Sequence, residues 1–418
     1  MRQLEKGFAG VGAGSSKTQS TSGFIAVGEG HELHYIRAGK QGGIPMIVCH
    51  GGPGAWLDEA YKDLLNSTEF DVIIYSQRGC GLSRRRDEPV RPETQHVEDL
   101  ECYYVERALY VSEGNELSHQ IHDIEVLRQH FFRDQKVHVF GGSWGGALAM
   151  LYGIHYPEKT ENLILRCTSL TELCGAMNPI DEAETVSQRL HNPCFARMEN
   201  TIRALVGDDV YQPSELFLHL YQGLYDAQPD GRIWSDHEKC EAAISWRIWN
   251  KSLQYTRISE SEAEAIIHSD IEQNVKFGFL FSKLLLGYPQ YGRSYFKENL
   301  PEFFSRSDAH VMIVHGTDDK ICPIQNAYDV FEWSSSERAP MVLQSGTPVF
   351  NSDHRVVLLP VNSGHADDDS GMWSALSRMV DYAEAVALSL REAKEAHQLD
   401  VSVQVQEGLA PHFHPAVK

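Results

Sequence analysis

Six short apolar runs constrain this 418-residue chain more than any other feature. They read PMIVC (45–49), DVIIY (71–75), VHVFG (137–141), NLILRC (162–167), HVMIV (310–314) and RVVLLP (355–360). Each is too short for an ordinary helix and shows little in/out alternation, so each reads as a strand buried on both faces. Helical patterns separate them, at 115–132, from Ser143 onward in SWGGALAMLYGIHY, at 324–334 and at 371–396. Strands that alternate with helices predict an α/β fold: a mostly parallel central sheet with helices on both faces. GFIAVGEGHELHYIRAG (23–39) alternates around a glycine turn and predicts a β-hairpin at the start. Between 170 and 305 the alternation gives way to long helical patterns and aromatic clusters, which predicts a helical cap inserted over the sheet's active edge. The expected organisation is a flexible tail (1–22), a sheet domain in two pieces (23–169 and 306–400), the cap (170–305) and a C-terminal tail (401–418).

Hydrophobic residues make up 42% of the chain, enough for a sizeable core. Lys and Arg total 37 against 58 Asp and Glu, a net charge of −21, which disfavours nucleic acid as a partner. The eight cysteines form no C-x-x-C pair, and several sit in apolar runs, as buried thiols of a reducing compartment do. No secretory leader and no membrane-length apolar stretch is evident, so a cytoplasmic protein without a membrane partner is expected. A homo-oligomer is left open.

VHVFGGSWGGA (137–147) joins a strand to a helix through four glycines and one serine. Gly141, Ser143 and Gly145 fit G-x-S-x-G, in which a sharp turn exposes a nucleophilic serine. The plain alternative is a tight turn that happens to carry a serine. CHGGPGAW (49–56) follows the first central strand, where the backbone N–H groups of Gly51 and Gly52 could face a developing oxyanion. The N–H of Trp144, just after the serine, would be the other donor. Asp318 and Asp319 follow one later strand and His365 follows the next, in the order Ser, Asp, His.

HGGPG (50–54), QRGCGLS (77–83), GGSWGG (141–146), HYPEKTENLILR (155–166), VHGTDDKICPIQNAYDV (314–330) and GH (364–365) together resemble the proline iminopeptidases. The resemblance implies an α/β-hydrolase fold and a serine peptidase that releases an N-terminal proline. It implies Ser143 as nucleophile, Asp319 rather than Asp318 as orienting carboxylate, and His365 as base, without metal or organic cofactor. The expected substrate is a small peptide, or a small-molecule amide or ester.

The departures concern the cap. The family's W-x-x-W-E, whose glutamate helps hold the substrate's amine, is WRIWNK here: Trp246 and Trp249 stay in register and Asn250 replaces the acid. A second amine-holding glutamate corresponds to Glu272 in IEQNVKF. The resemblance thus makes Glu272, Asn250, Trp246 and Trp249 substrate-binding candidates. A charge-assisted hydrogen bond is worth about 1.5–3 kcal/mol. Losing one weakens amine recognition about ten- to hundredfold, unless a carboxylate in SESEAEA (259–265) compensates. The competing expectation is an amidase or esterase on the same scaffold with altered amine recognition. By bulk statistics, Trp246, Trp249, Tyr221 and Tyr225 read as cap core, and HADDDSG after His365 as a solvated face. Ser76 stands where the family has an aspartate, and 84–114 and 338–353 read as insertions.

Overall fold

A computed structural model describes residues 20–57, 59–66, 68–170, 191–207, 213–228, 230–286, 288–337, 344–369 and 371–408. In chain order it runs β1 (Thr21–Gly28), β2 (His31–Gly39), β3 (Ile44–Cys49), α1 (Ala60–Leu65), β4 (Phe70–Tyr75), β5 (Arg84–Arg85), α2 (Val97–Ser112), α3 (Leu117–Phe132), β6 (Val137–Gly142), α4 (Trp144–His155) and β7 (Thr160–Arg166). Then come α5 (Pro193–Val206), α6 (Pro213–Leu224), α7 (Asp236–Ser252), α8 (Glu260–His268), α9 (Ile271–Leu286) and α10 (Arg293–Arg306). The chain closes with β8 (His310–Gly316), α11 (Ile324–Ser335), β9 (Val349–Phe350), β10 (Val356–Val361) and α12 (Met372–Gly408).

The strands form one sheet in the order β1-β2-β4-β3-β6-β7-β8-β10-β9, with β5 paired to β2. The six apolar runs are its parallel centre, β4 through β10. Antiparallel β1–β2 and β9 flank that centre. Neighbouring residues show why the runs lack alternation. Ile47 packs into the cluster under α3 and α4, and Val48 into the one under α1 and α12. Burial on both faces leaves no polar position in such a strand.

Among the described residues, six α-helices, α5 to α10, lie between β7 and β8. α7 packs against α5, α8 and α9, and also against α2. Residues 84–114 are therefore no detached decoration: most of the segment is α2, which packs on the helices α7 and α9. Capping boxes open two of these helices, Ser235 with Glu238 and Ser259 with Glu262. α12 runs to Gly408, beyond the 371–396 helix read from the sequence and into the stretch read as a tail. Nearly all of the N-terminal tail, residues 338–343 of the second insertion and 409–418 lie outside the described residues. Cys102 is exposed, and the other described cysteines are buried free thiols. Among the described residues no helix is long and apolar enough to cross a membrane.

Candidate active site

Ser143 sits between β6 and α4 with φ 56° and ψ −121°, a region that costs a non-glycine residue energy. Its amide donates to Arg166 O at 2.7 Å, tying the turn to the end of β7. The glycines around it answer to the crowding of strand ends. A Cβ on Gly141 would lie 2.0 Å from Gly145 O, and one on Gly145 would lie 2.1 Å from Cys49 O. The serine stands among glycines because the backbones of β3, β6 and α4 touch there.

His365 follows β10 and Asp319 follows β8, so both arrive at the C-terminal edge of the parallel strands, where sheets of this kind place their sites. His365 Nε2 lies 2.9 Å from Ser143 Oγ, and His365 Nδ1 lies 2.8 Å from Asp319 Oδ2. With Nδ1–H donating to a carboxylate, Nε2 is the acceptor for the serine O–H. Asp319 Oδ1 accepts from the amides of Ile321 and Cys322 at 2.9 and 2.8 Å. Burial alone would push the Asp319 carboxyl up, but His365 and these neighbours hold it below the usual carboxylate range. Asp318 contributes only its amide, to Ser363 O. Cys167, Asp319 and His365 offer ligand-type atoms within 4.8 Å of one another. Burial and the nearby Asp319 charge push the Cys167 thiol well up, so it stands beside the pair as a neutral thiol.

The His365 loop is held from both sides. Its carbonyl accepts from Arg166 Nη1 at 2.5 Å, and the amides of His365 and Ala366 donate to Gln254 O, in the segment after α7, at 3.0 and 2.8 Å. Asp369 accepts from the amides of Gly364 and Thr256 and from the Thr256 hydroxyl. The acidic run after His365 thus contains a structural clamp, which a solvated-face reading misses.

Gly51 and Gly52 border the cavity above Ser143. His50 Nε2 accepts the Gln77 amide at 2.9 Å, so Nδ1 carries the proton and donates to Gly51 O at 2.7 Å. Burial pushes the His50 pKa down to about 4, which keeps this tautomer neutral. The Gln77 side chain donates to His50 O at 2.8 Å and accepts from Trp144 Nε1 at 3.0 Å. One glutamine therefore connects the two segments expected to supply oxyanion donors. The Trp144 amide lies in the first turn of α4, where a helix offers no internal acceptor. Ser76, in place of the family's aspartate, accepts from the Leu57 amide at 3.3 Å.

A cavity of about 920 Å³ opens over Ser143 and reaches the cap, where Trp249 and Asn250 border it. Two expected substrate contacts are placed elsewhere. Glu272 is not among the bordering residues; it faces α2, bonded to Arg107, to Arg91 Nη1 at 3.3 Å and to Tyr103 OH at 3.4 Å. Trp246 is fully buried in cap core against Phe277 and Phe281. Tyr225 is likewise cap core, its hydroxyl donating to Phe279 O. None of the three SESEAEA acids borders the cavity: Glu260 is exposed, Glu262 caps α8 and Glu264 pairs with Arg197. Asn250 Oδ1 accepts from Arg247 Nη1 at 2.6 Å and from Gln254 Nε2 at 3.3 Å. Arg247, Gln254 and Gln77 are the residues the sequence reading missed. Arg247 stood inside the quoted WRIWNK and Gln77 inside QRGCG.

A family model described as the α/β-hydrolase fold matches residues 44–348. A proline iminopeptidase of Xanthomonas citri is 23% identical over 353 residues, 84% of this chain and 97% of that one. One of Neisseria meningitidis is 32% identical over 145 residues, 35% of this chain and 39% of that one. A solved proline iminopeptidase-related protein of Thermus thermophilus is 15% identical with a TM-score of 0.45, covering 89% of this chain and 98% of its own.

Proposed function

Because the chain belongs to the α/β-hydrolase fold family, we propose that it is a serine hydrolase that cleaves an amide or ester bond through an acyl-enzyme. The hydrogen-bonded chain Ser143–His365–Asp319 at the floor of the cavity carries this reading. Ser143 Oγ attacks the scissile carbonyl while His365 Nε2 takes its proton. Asp319 keeps the imidazole in its Nδ1–H tautomer and stabilises the imidazolium. The amides of Gly51 or Gly52 and of Trp144 receive the oxyanion. His365 returns the proton to the leaving amine or alcohol and then activates water against the acyl-enzyme.

The relatives support a prolyl aminopeptidase-type release of an N-terminal residue. The placement of Glu272 against α2, and Asn250 in the acidic position, favour a second reading: an amidase or esterase that does not require a free amine. The test offers proline naphthylamide, its N-acylated form and 4-nitrophenyl esters to the purified protein and to Ser143→Ala. Labelling of Ser143 by a fluorophosphonate and turnover lost in Ser143→Ala are expected. An unlabelled Ser143 would sink both readings. Preference for the free-amine substrate selects the first, and turnover of the blocked or ester substrates alone selects the second.

A further inference from the structure

The cap end of the cavity holds a buried cation that pairs with no carboxylate among the described residues. Arg247 on α7 borders the cavity and is only 6% exposed. Its Nε donates to Asn274 Oδ1 at 3.1 Å, its Nη1 to Asn250 Oδ1 at 2.6 Å, and its Cζ lies 3.9 Å from the centroid of the Phe277 ring. Both side-chain partners are neutral amides. Among the described residues no carboxylate comes within 4.0 Å of its nitrogens, and Nη2 makes no hydrogen bond. Of five guanidinium N–H donors, two have partners.

Three other sheltered arginines sit on carboxylates, whereas Arg166, equally buried at the Ser143 end of the cavity, bonds the His365 carbonyl. Arg78 sits on Asp123, Arg128 on Glu125 and Arg37 on Asp71. Where Arg37 and Arg128 meet their carboxylates, the pKa rises; at Arg247 burial pulls it down to about 10, which still leaves the group charged near neutral pH. Lys251, one turn along α7, borders the same cavity and bonds Gln254 Oε1 and Tyr255 OH, again neutral partners. The four acids on the cavity wall have other partners: Glu59 pairs with Lys62, and Asp270 accepts from the Gln273 amide, Asp367 from the Asp368 amide and Asp368 from the Tyr255 hydroxyl. A buried guanidinium held rigid by two amide oxygens, its remaining donors unassigned, is a fork shaped for a carboxylate.

We propose that Arg247, presented by Asn250 and Asn274, is an anion-binding subsite, so that the substrate is a small amide or ester bearing a carboxylate. The proposal rests on the hydrolase reading for where the scissile bond sits, at Ser143, and it deepens that reading by naming a substrate class.

The test compares matched substrates. Mono-4-nitrophenyl adipate against 4-nitrophenyl hexanoate places the carboxylate on the acyl side; 4-acetoxybenzoate against phenyl acetate places it on the leaving side. In at least one pair the carboxylate member should have a kcat/KM about tenfold or more above its neutral match. Arg247→Gln should cut that ratio about ten- to hundredfold. Asn250→Asp, which gives Arg247 an internal counter-charge, should cut it too, and it decides the matter should Arg247→Gln fail to fold. Calorimetric titration of adipate into Ser143→Ala, with and without Arg247→Gln, reads the anion site without chemistry. Binding that Arg247→Gln weakens at least tenfold supports the subsite even if no substrate turns over and Ser143 stays unlabelled, the pattern that would sink the hydrolase reading alone. Equal kcat/KM within both pairs, a ratio unmoved by either variant, or adipate binding indifferent to Arg247 would overturn the subsite.

Discussion

Replacing Gln77 with leucine should damage the site without touching any residue proposed to react. Gln77 is 1% exposed, and its side chain makes one bond to each side of the oxyanion region. The variant keeps the volume and the backbone N–H bond to His50. It strands the Trp144 indole N–H and the His50 carbonyl, both in buried residues. An unsatisfied buried polar group costs about 1–3 kcal/mol, so Gln77→Leu, which strands two, should lose about 2–6 kcal/mol. Urea unfolding followed by tryptophan fluorescence reads this as a lower midpoint at unchanged slope. The loop carrying Gly51 also loses one of its fixed attachments, so kcat for a 4-nitrophenyl ester should fall about tenfold, with a smaller change in KM. Adding Trp144→Phe removes one of the stranded groups. The double variant should therefore lose less than the sum of the singles, by about 1–2 kcal/mol. A loss under 1 kcal/mol with kcat intact would refute the idea that Gln77 holds the two segments in register.

Three further outcomes follow from the same geometry. Glu272→Gln should change KM for proline naphthylamide less than twofold while lowering the urea midpoint, since Glu272 grips α2 rather than the cavity; a tenfold rise in KM would return it to the substrate. Buried, neutral His50 takes up its proton only near pH 4, whereas the unfolded chain takes it up near 6.5, so stability is intact above pH 6.5 and is lost as pH falls from there toward 4. The gap is worth about 3 kcal/mol, and His50→Gln should flatten that part of a stability–pH curve measured by urea unfolding; an unchanged slope would speak against it. Asp123→Asn leaves the buried Arg78 guanidinium without its anion and should cost about 3–5 kcal/mol, part of which Arg78→Met in the same chain should restore.

The sheet was legible because its signals are local. A strand buried on both faces declares itself in five or six residues, and the glycines around Ser143 declare a backbone crossing that no side chain would survive. The order of Ser143, Asp319 and His365 along the chain follows from strand order, so the motifs sit where the topology needs them. The cap was less legible because a helix turns about 100° per residue, so a position matched by motif says little about the direction it faces. Asn274 and Glu272 are two residues apart on α9, yet one holds Arg247 and the other faces α2. What captures Glu272 is Arg107, 165 residues earlier, in a segment that reads as an insertion. Gln77 was in plain view, but its reach to both His50 and Trp144 depends on three strand ends meeting.

Asn250 first reads as the loss of one charge. With Arg247 beside it, the position where the resemblance led to the expectation of a carboxylate instead meets a guanidinium steadied by two amides. Restoring a carboxylate by Asn250→Glu would therefore not rebuild an amine site, because Arg247 Nη1 already lies 2.6 Å from the Asn250 oxygen and would claim the new charge. The same segment also reaches the proposed base. Gln254 bonds Asn250 and Lys251 with its side chain and receives the amides of His365 and Ala366 on its carbonyl. A change in what Arg247 holds is thus felt one turn later at the loop that positions His365. The proposed anion subsite and the proposed proton transfer at Ser143 share a structural element, so substitutions at Asn250 should move kcat as well as KM, whereas those at Glu272 should move neither by much.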